Sequence, residues 1–178
     1  AQMLSNQGDR LCVQGLRAAY QSESHFGVRR ILSKIVSADK AGWRVELLLE
    51  WLDCEADPRV RFVIAQALGD VRLSTAQASK VRMILEQAKG QFLKCALLIT
   101  VGAQRDEADL PYLSRLVDDS SLPESVRVSA VSAIGSHGSL AAYDLLSSMY
   151  ETLSKSVYLT NERHRALAKC ARQMERHY

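Results

Sequence analysis

Arg59-Val-Arg-Phe-Val-Ile-Ala-Gln-Ala-Leu-Gly69 returns, in its pattern of apolar and small residues, as Phe92-Leu-Lys-Cys-Ala-Leu-Leu-Ile-Thr-Val-Gly102 and again as Ser125-Val-Arg-Val-Ser-Ala-Val-Ser-Ala-Ile-Gly135. Val60, Leu93 and Val126 are each followed by a basic residue (Arg61, Lys94, Arg127) and, nine positions on, by a glycine, so that the step from Val60 to Leu93 equals the step from Leu93 to Val126. A period of that size marks one supersecondary unit stacked on copies of itself, because a single helix pair cannot bury its own apolar face. An earlier copy runs one residue out of step at Val28-Arg29, with Ile31, Ile35 and Val36 apolar and Ser37 where the glycine would stand. A fifth second helix is expected from about Asn161, where Ala166, Leu167, Cys170, Ala171 and Met174 carry an apolar face.

Between these helices lie first helices with their own apolar periodicity, expected over 11–20, 41–52, 76–88, 108–117 and 140–153. Asp57-Pro58, Ser74-Thr75 and Ser121-Leu-Pro123 are helix-start signals, a capping side chain before a proline or a good helix former. The repeat glycines are expected to end helices in the left-handed conformation. Only three prolines and nine glycines occur in 178 residues, and they fall between apolar stretches, which favours long helices and leaves strand signals nearly absent. The chain therefore reads as all-α, a single domain of residues 1–178, standing alone or within a larger protein.

Lys and Arg number 23 against 20 Asp and Glu, a net charge of +3 that sets up no field strong enough to dictate a nucleic-acid partner. Cys12, Cys54, Cys95 and Cys170 lie tens of residues apart with no histidine at metal-ligand spacing, so all four read as reduced core thiols of a cytoplasmic protein. Disulfides in an exported protein are the other reading. No apolar run reaches the length of a membrane span or signal core, while a first residue of Ala1 is compatible with a removed leader.

Residues 57–69 resemble the second helix of a HEAT repeat of the phycobilisome-lyase-like type. Asp109-Leu-Pro-Tyr-Leu-Ser-Arg-Leu-Val-Asp-Asp119, followed by Val126-Arg127 and the run 130–135, resembles a complete unit. The resemblance covers most of the chain and is clearest over 57–135. It implies a right-handed α-α superhelix, an armadillo-like solenoid of about five helix pairs, and is nearly silent on activity, because the same repeat serves unrelated roles. Stacking places Arg61, Lys94 and Arg127 one above another, a ladder that could hold phosphate or an acidic partner; the resemblance implies instead that it pairs with aspartates near the turns, for which Asp57, Asp118 and Asp119 are available.

Two basic groups are left over as candidate partner-binding residues. Arg30, Lys34 and Arg59 fall near the expected inner face of the first units. Arg165, Lys169, Arg172 and Arg176 follow steps of four, three and four, which puts them on one stripe of the last helix, where aligned cations suit an acidic partner or phosphates; a plain solvated face is the competing reading. Trp43, Leu47 and Trp51 share one side of a helix apolar on a second side as well, as stacking requires, although exposed tryptophans would instead mark an interaction hot spot. Trp51 and Asp53 are similar only in type to residues of HEAT-like DNA glycosylases.

No nucleophile-elbow serine, phosphate-binding glycine loop or metal-spaced histidine pair occurs, so no catalytic residue, metal or cofactor is expected. The expected function is a protein-interaction or scaffold module that binds a protein or peptide on its inner helical surface. Nucleic-acid binding through basic helix faces is the first alternative, and an enzyme of DNA-glycosylase or chromophore-lyase type the second.

Overall fold

The computed structural model describes residues 2–39 and 41–175, with side chains from Arg10 onward. Every regular element among the described residues is helical. The chain forms two compact units that divide after Val71.

In the first unit, α1 (Gln2–Ser22), α2 (Phe26–Ala38), α3 (Trp43–Cys54) and α4 (Pro58–Gly69) pack with α2 against α4 and α3 against both. The helix α3 is apolar nearly all round, and Val45, Leu47, Leu48, Leu49, Trp51 and Leu52 are all buried, each fully buried leucine contributing roughly 1.5–3 kcal/mol. Trp51, 1 % exposed, stacks on Tyr20 with ring centroids 4.0 Å apart. The hot-spot reading of Trp51 thus fails: the indole is core, while Trp43 is half-buried. Asp57 caps α4 by accepting from the Arg59 amide, with Pro58 in the first turn as the sequence indicated.

The second unit holds α5 (Thr75–Gln87), α6 (Gln91–Gln104), a 3-10 turn at Glu107–Asp109, α7 (Leu110–Asp118), α8 (Glu124–His137), α9 (Leu140–Ser148), α10 (Tyr150–Leu153) and α11 (Val157–Glu175). The helices α6, α8 and α11 lie side by side, with α5 packed on α6, α7 on α8, and α9 on both α8 and α11. Ser74 and Gln77 make a capping box at the start of α5. Pro123 sits just outside α8 and makes no side-chain cap bond, Ser121 bonding back to Asp119 instead.

The helices α4, α6, α8 and α11 begin at Pro58, Gln91, Glu124 and Val157, a constant step that matches the spacing of Val60, Leu93 and Val126, while α2 starts out of step with them. The last second helix starts at Val157, ahead of the expected Asn161, and the expected helix over 140–153 is broken at Met149. Ser147 and Ser148 bond back to the carbonyls of Tyr143 and Leu145 there, which competes with helix continuation.

The repeat glycines do not end helices in the left-handed conformation. Gly102 and Gly135 lie inside α6 and α8, and positive φ occurs at Arg105 and Gly138 among the described residues. Close approach explains the glycines: a Cβ on Gly102 would run into the Ala133 carbonyl and lie 2.6 Å from the Ala133 Cα, and one on Gly135 would lie 2.6 Å from the Ala166 Cβ. Ala133 and Ala166 are themselves separated by the repeat step, so the same glycine-to-alanine contact joins α6 to α8 and α8 to α11.

Candidate functional site

Because that contact recurs in one register, equivalent positions of α6, α8 and α11 fall side by side on the face opposite α5, α7 and α9. At the helix starts these are Phe92, Ser125 and Tyr158, and two turns on they are Ile99, Ser132 and Arg165. Phe92 is 75 % and Tyr158 70 % exposed, with Val157 and Ile99 also open. The face of α8 carries only small or short side chains (Ser125, Val128, Ser129, Ser132), so it forms a floor between taller neighbours. A cleft of about 620 Å³ opens between α8 and α11, lined by Ser125, Val128, Ser129, Tyr158, Asn161 and Arg165 together with Glu124 and Glu162. The Ser156 hydroxyl donates to Glu124, the Gln91 amide donates to Ser125, and Arg165 lies 3.7 Å from Glu162.

Three of the four stripe residues expected from sequence stand on this face. Arg165 lines the cleft, Lys169 is exposed while its Nζ donates to the Ser136 hydroxyl of α8 at 2.7 Å, and Arg172 is exposed one turn on. Arg176 lies outside the described residues. In the first unit, Arg30 and Lys34 are exposed one turn apart on α2. Arg59 is engaged: its Nη2 lies 2.7 Å from Asp57 and its guanidinium sits 3.5 Å from the centre of the Phe26 ring. The hydrogen bond from Arg59 pulls the half-buried Asp57 carboxyl down to about 2.

The proposed aspartate ladder is corrected. Arg127 donates from Nε to the Val117 carbonyl at the end of α7, 2.8 Å away, and Arg61 has its Nε buried without a hydrogen-bond partner. Arg163, which the sequence reading passed over, donates in the same way to Leu146 and Ser147 at the end of α9. A second-helix cation thereby closes off the carbonyl end of the first helix beside it, where the helix dipole is negative.

No protein-family model matches, and no curated protein does either.

Two buried polar clusters were also missed from sequence. In the first unit Glu55, its side chain 2 % exposed, accepts from the Tyr20 hydroxyl (2.5 Å), from Arg29 Nε and Nη2 (2.8 and 2.9 Å) and from the Asp57 amide (2.8 Å). Burial works to raise the Glu55 carboxyl, but these four donors outweigh it and hold it below the ordinary range. Burial, with Glu55 alongside, pushes the Tyr20 phenol up. Arg29 also donates to the Glu23 and Ser24 carbonyls, so the cluster ties the end of α1 to α2 and α3.

In the second unit Arg82 is paired with Asp109 at 2.6 Å and with Asp106. Nearby, His137 is 3 % exposed and lies against the Asp106 backbone without a well-formed hydrogen bond at either ring nitrogen. Burial pushes its imidazole below the ordinary value and the Asp109 carboxyl above its own. Gln104, His137 and Cys170 share one register position and are all buried; Gln104 accepts from the Leu73 amide at 2.8 Å. The Glu55 cluster is engaged at every donor named above and the Arg82 guanidinium is held by two carboxylates, so both clusters read as structural, with the His137 ring nitrogens left unbonded.

The expectation of four core thiols holds for Cys170 alone. Cys95 is half-buried, and Cys12 and Cys54 are exposed. Among the described residues, no group of His, Cys, Asp and Glu is arranged to hold a metal ion, and no helix is long and apolar enough to cross a membrane.

Proposed function

We propose that the chain is a HEAT-like α-solenoid, a right-handed superhelix of about five helix pairs, and that it serves as a protein-interaction module through the exposed face of its second helices. One observation carries this reading. The repeat register sets Phe92, Ser125 and Tyr158, then Ile99, Ser132 and Arg165, in rows across α6, α8 and α11, and among the described residues it leaves Phe92, Ile99 and Tyr158 exposed. Exposed apolar side chains spread over three neighbouring helices favour a macromolecular ligand over a small one.

The test is affinity capture from the native host with the wild-type chain and with Phe92→Ser/Tyr158→Ser, both checked for unchanged helicity. A partner recovered by the wild type and lost from the double variant supports the reading. A partner recovered equally by both removes this face from consideration.

Nucleic-acid binding is the second reading, favoured by Arg165, Lys169 and Arg172 on one stripe. Glu124 and Glu162 in the same cleft weigh against it, since two carboxylates repel a phosphate backbone. Binding to random duplex or single-stranded RNA at low salt, falling steeply as salt rises, would reverse that order.

A further inference from the structure

We infer that the groove over α8 receives an acidic amphipathic peptide segment, its apolar residues at the Phe92 and Tyr158 end and its carboxylates on Arg165, Lys169 and Arg172. The inference rests on the interaction-module reading and specifies its ligand.

The groove is chemically polarised along its length. At the starts of α6, α8 and α11, Phe92, Val128, Val157 and Tyr158 present apolar surface, and Ile99 continues it along α6. Toward the end of α11 the exposed side chains of the same stripe become cationic. The floor stays low throughout because Ser125, Ser129 and Ser132 carry no bulk. From Tyr158 to Arg172 the helix rises about 21 Å, the length of roughly 14 residues of helix or of six to seven extended ones.

Charge decides the occupant. The carboxylates of the groove, Glu124 and Glu162, sit at the apolar end and are met there by the Ser156 hydroxyl and by Arg165. Beyond Arg165 the stripe carries only Lys169 and Arg172 as described charges, and Lys169 is steadied by Ser136. A polyanion of uniform charge would meet repulsion over the first half of the groove and would leave Phe92 and Tyr158 unsatisfied. A segment with apolar anchors followed by Asp or Glu matches both halves, with each rim charge contributing modestly and the buried aromatic contacts dominating affinity.

A random 16-residue peptide library displayed on phage, selected on the whole chain, tests the inference. The selected consensus is then measured by fluorescence anisotropy on the wild type, on Arg165→Glu/Arg172→Glu and on Phe92→Ser/Tyr158→Ser. The double charge reversal leaves the Lys169 to Ser136 bond in place, and circular dichroism confirms that each variant is folded. The inference predicts net-negative peptides with two or more apolar anchors and at least a tenfold loss of affinity for either variant. Enrichment of basic or uncharged peptides overturns it, as does unchanged affinity on the charge reversal. Peptides that bind elsewhere, unaffected by both variants but lost on Arg30→Glu, sink the groove and leave the interaction module standing. No enrichment on the wild type, together with binding of a fluorescein-labelled 20-nucleotide RNA that the charge reversal abolishes, overturns the groove and the interaction module alike.

Discussion

Gly102 and Gly135 each stand where the backbone of one second helix meets an alanine of the next, and the distances leave no room for a methyl group. Gly102→Ala places its Cβ against backbone atoms of Ala133, which cannot rotate aside. The variant is expected to lose about 2 kcal/mol net, the overpacking cost exceeding the roughly 1 kcal/mol that alanine gains over glycine in a helix. Urea unfolding of the two proteins measures it. At Gly135 the obstacles are the Ala166 Cβ at 2.6 Å and its Cα at 2.7 Å, so Ala166→Gly, which removes only the first, should partly rescue Gly135→Ala but not Gly102→Ala. The glycine spacing was legible in the sequence, but its role was not, because spacing alone does not separate a helix end from a close contact inside one.

His137 supplies a pH dependence with a definite sign. Its folded value is lowered by burial, so below about pH 6.5 the unfolded chain takes up the proton first and stability falls as pH falls. Asp109 acts with the opposite sign, since its raised carboxyl favours the folded state most when protonated. His137→Gln, which copies Gln104 at the equivalent position, is expected to flatten stability between pH 7 and 5.5. An unaltered slope in urea midpoints over that range would refute the assignment.

At the scale of the element, starts that carry a capping side chain were legible, the starts of α1 and α11 were not, and side-chain partners were read poorly. Asp57-Pro58 and the Ser74 box begin helices as their chemistry requires. Arg127, by contrast, has a main-chain carbonyl as its partner, and every residue carries a carbonyl, so no sequence pattern could have pointed to Val117. Arg127→Met keeps the aliphatic stem and removes the charged donor. It is expected to cost about 1.5–3 kcal/mol in thermal or urea unfolding, whereas a neighbouring Asp119→Asn, which in the aspartate ladder would cost as much, should leave stability within about 0.5 kcal/mol. The four donors on Glu55 escaped notice for a related reason: they come from three places in the chain with no common period. Tyr158 and Phe92 did carry a signal, their places in the repeat, but each looked like one more apolar residue until exposure separated them from the core.

For the whole molecule, the repeat makes a prediction that an irregular helical domain would not share. Deleting 124–156 removes one full period, the whole of α8, α9 and α10, and brings Ala166 of α11 into the place that Ala133 holds against Gly102. The shortened chain is expected to stay helical and to unfold in a single cooperative transition at reduced stability, because each repeat contacts mainly its neighbours. Deleting only 124–139 leaves α7 without the helix it packs on, while α9 and α10 keep α11, and is expected to abolish cooperative unfolding of that unit. Circular dichroism on both variants reads the difference.

The claim at the centre of the account is that the exposed face of α6, α8 and α11 is the one a partner covers. Hydroxyl-radical footprinting of the chain alone and with its captured partner addresses it through side chains that are all open beforehand. Phe92 and Tyr158 lie on that face, while Met83 and Leu140, also exposed, belong to α5 and α9. The account predicts that bound partner suppresses oxidation of Phe92 and Tyr158 severalfold and leaves Met83 and Leu140 unchanged. Protection of Met83 and Leu140 with Phe92 and Tyr158 still reactive would contradict it.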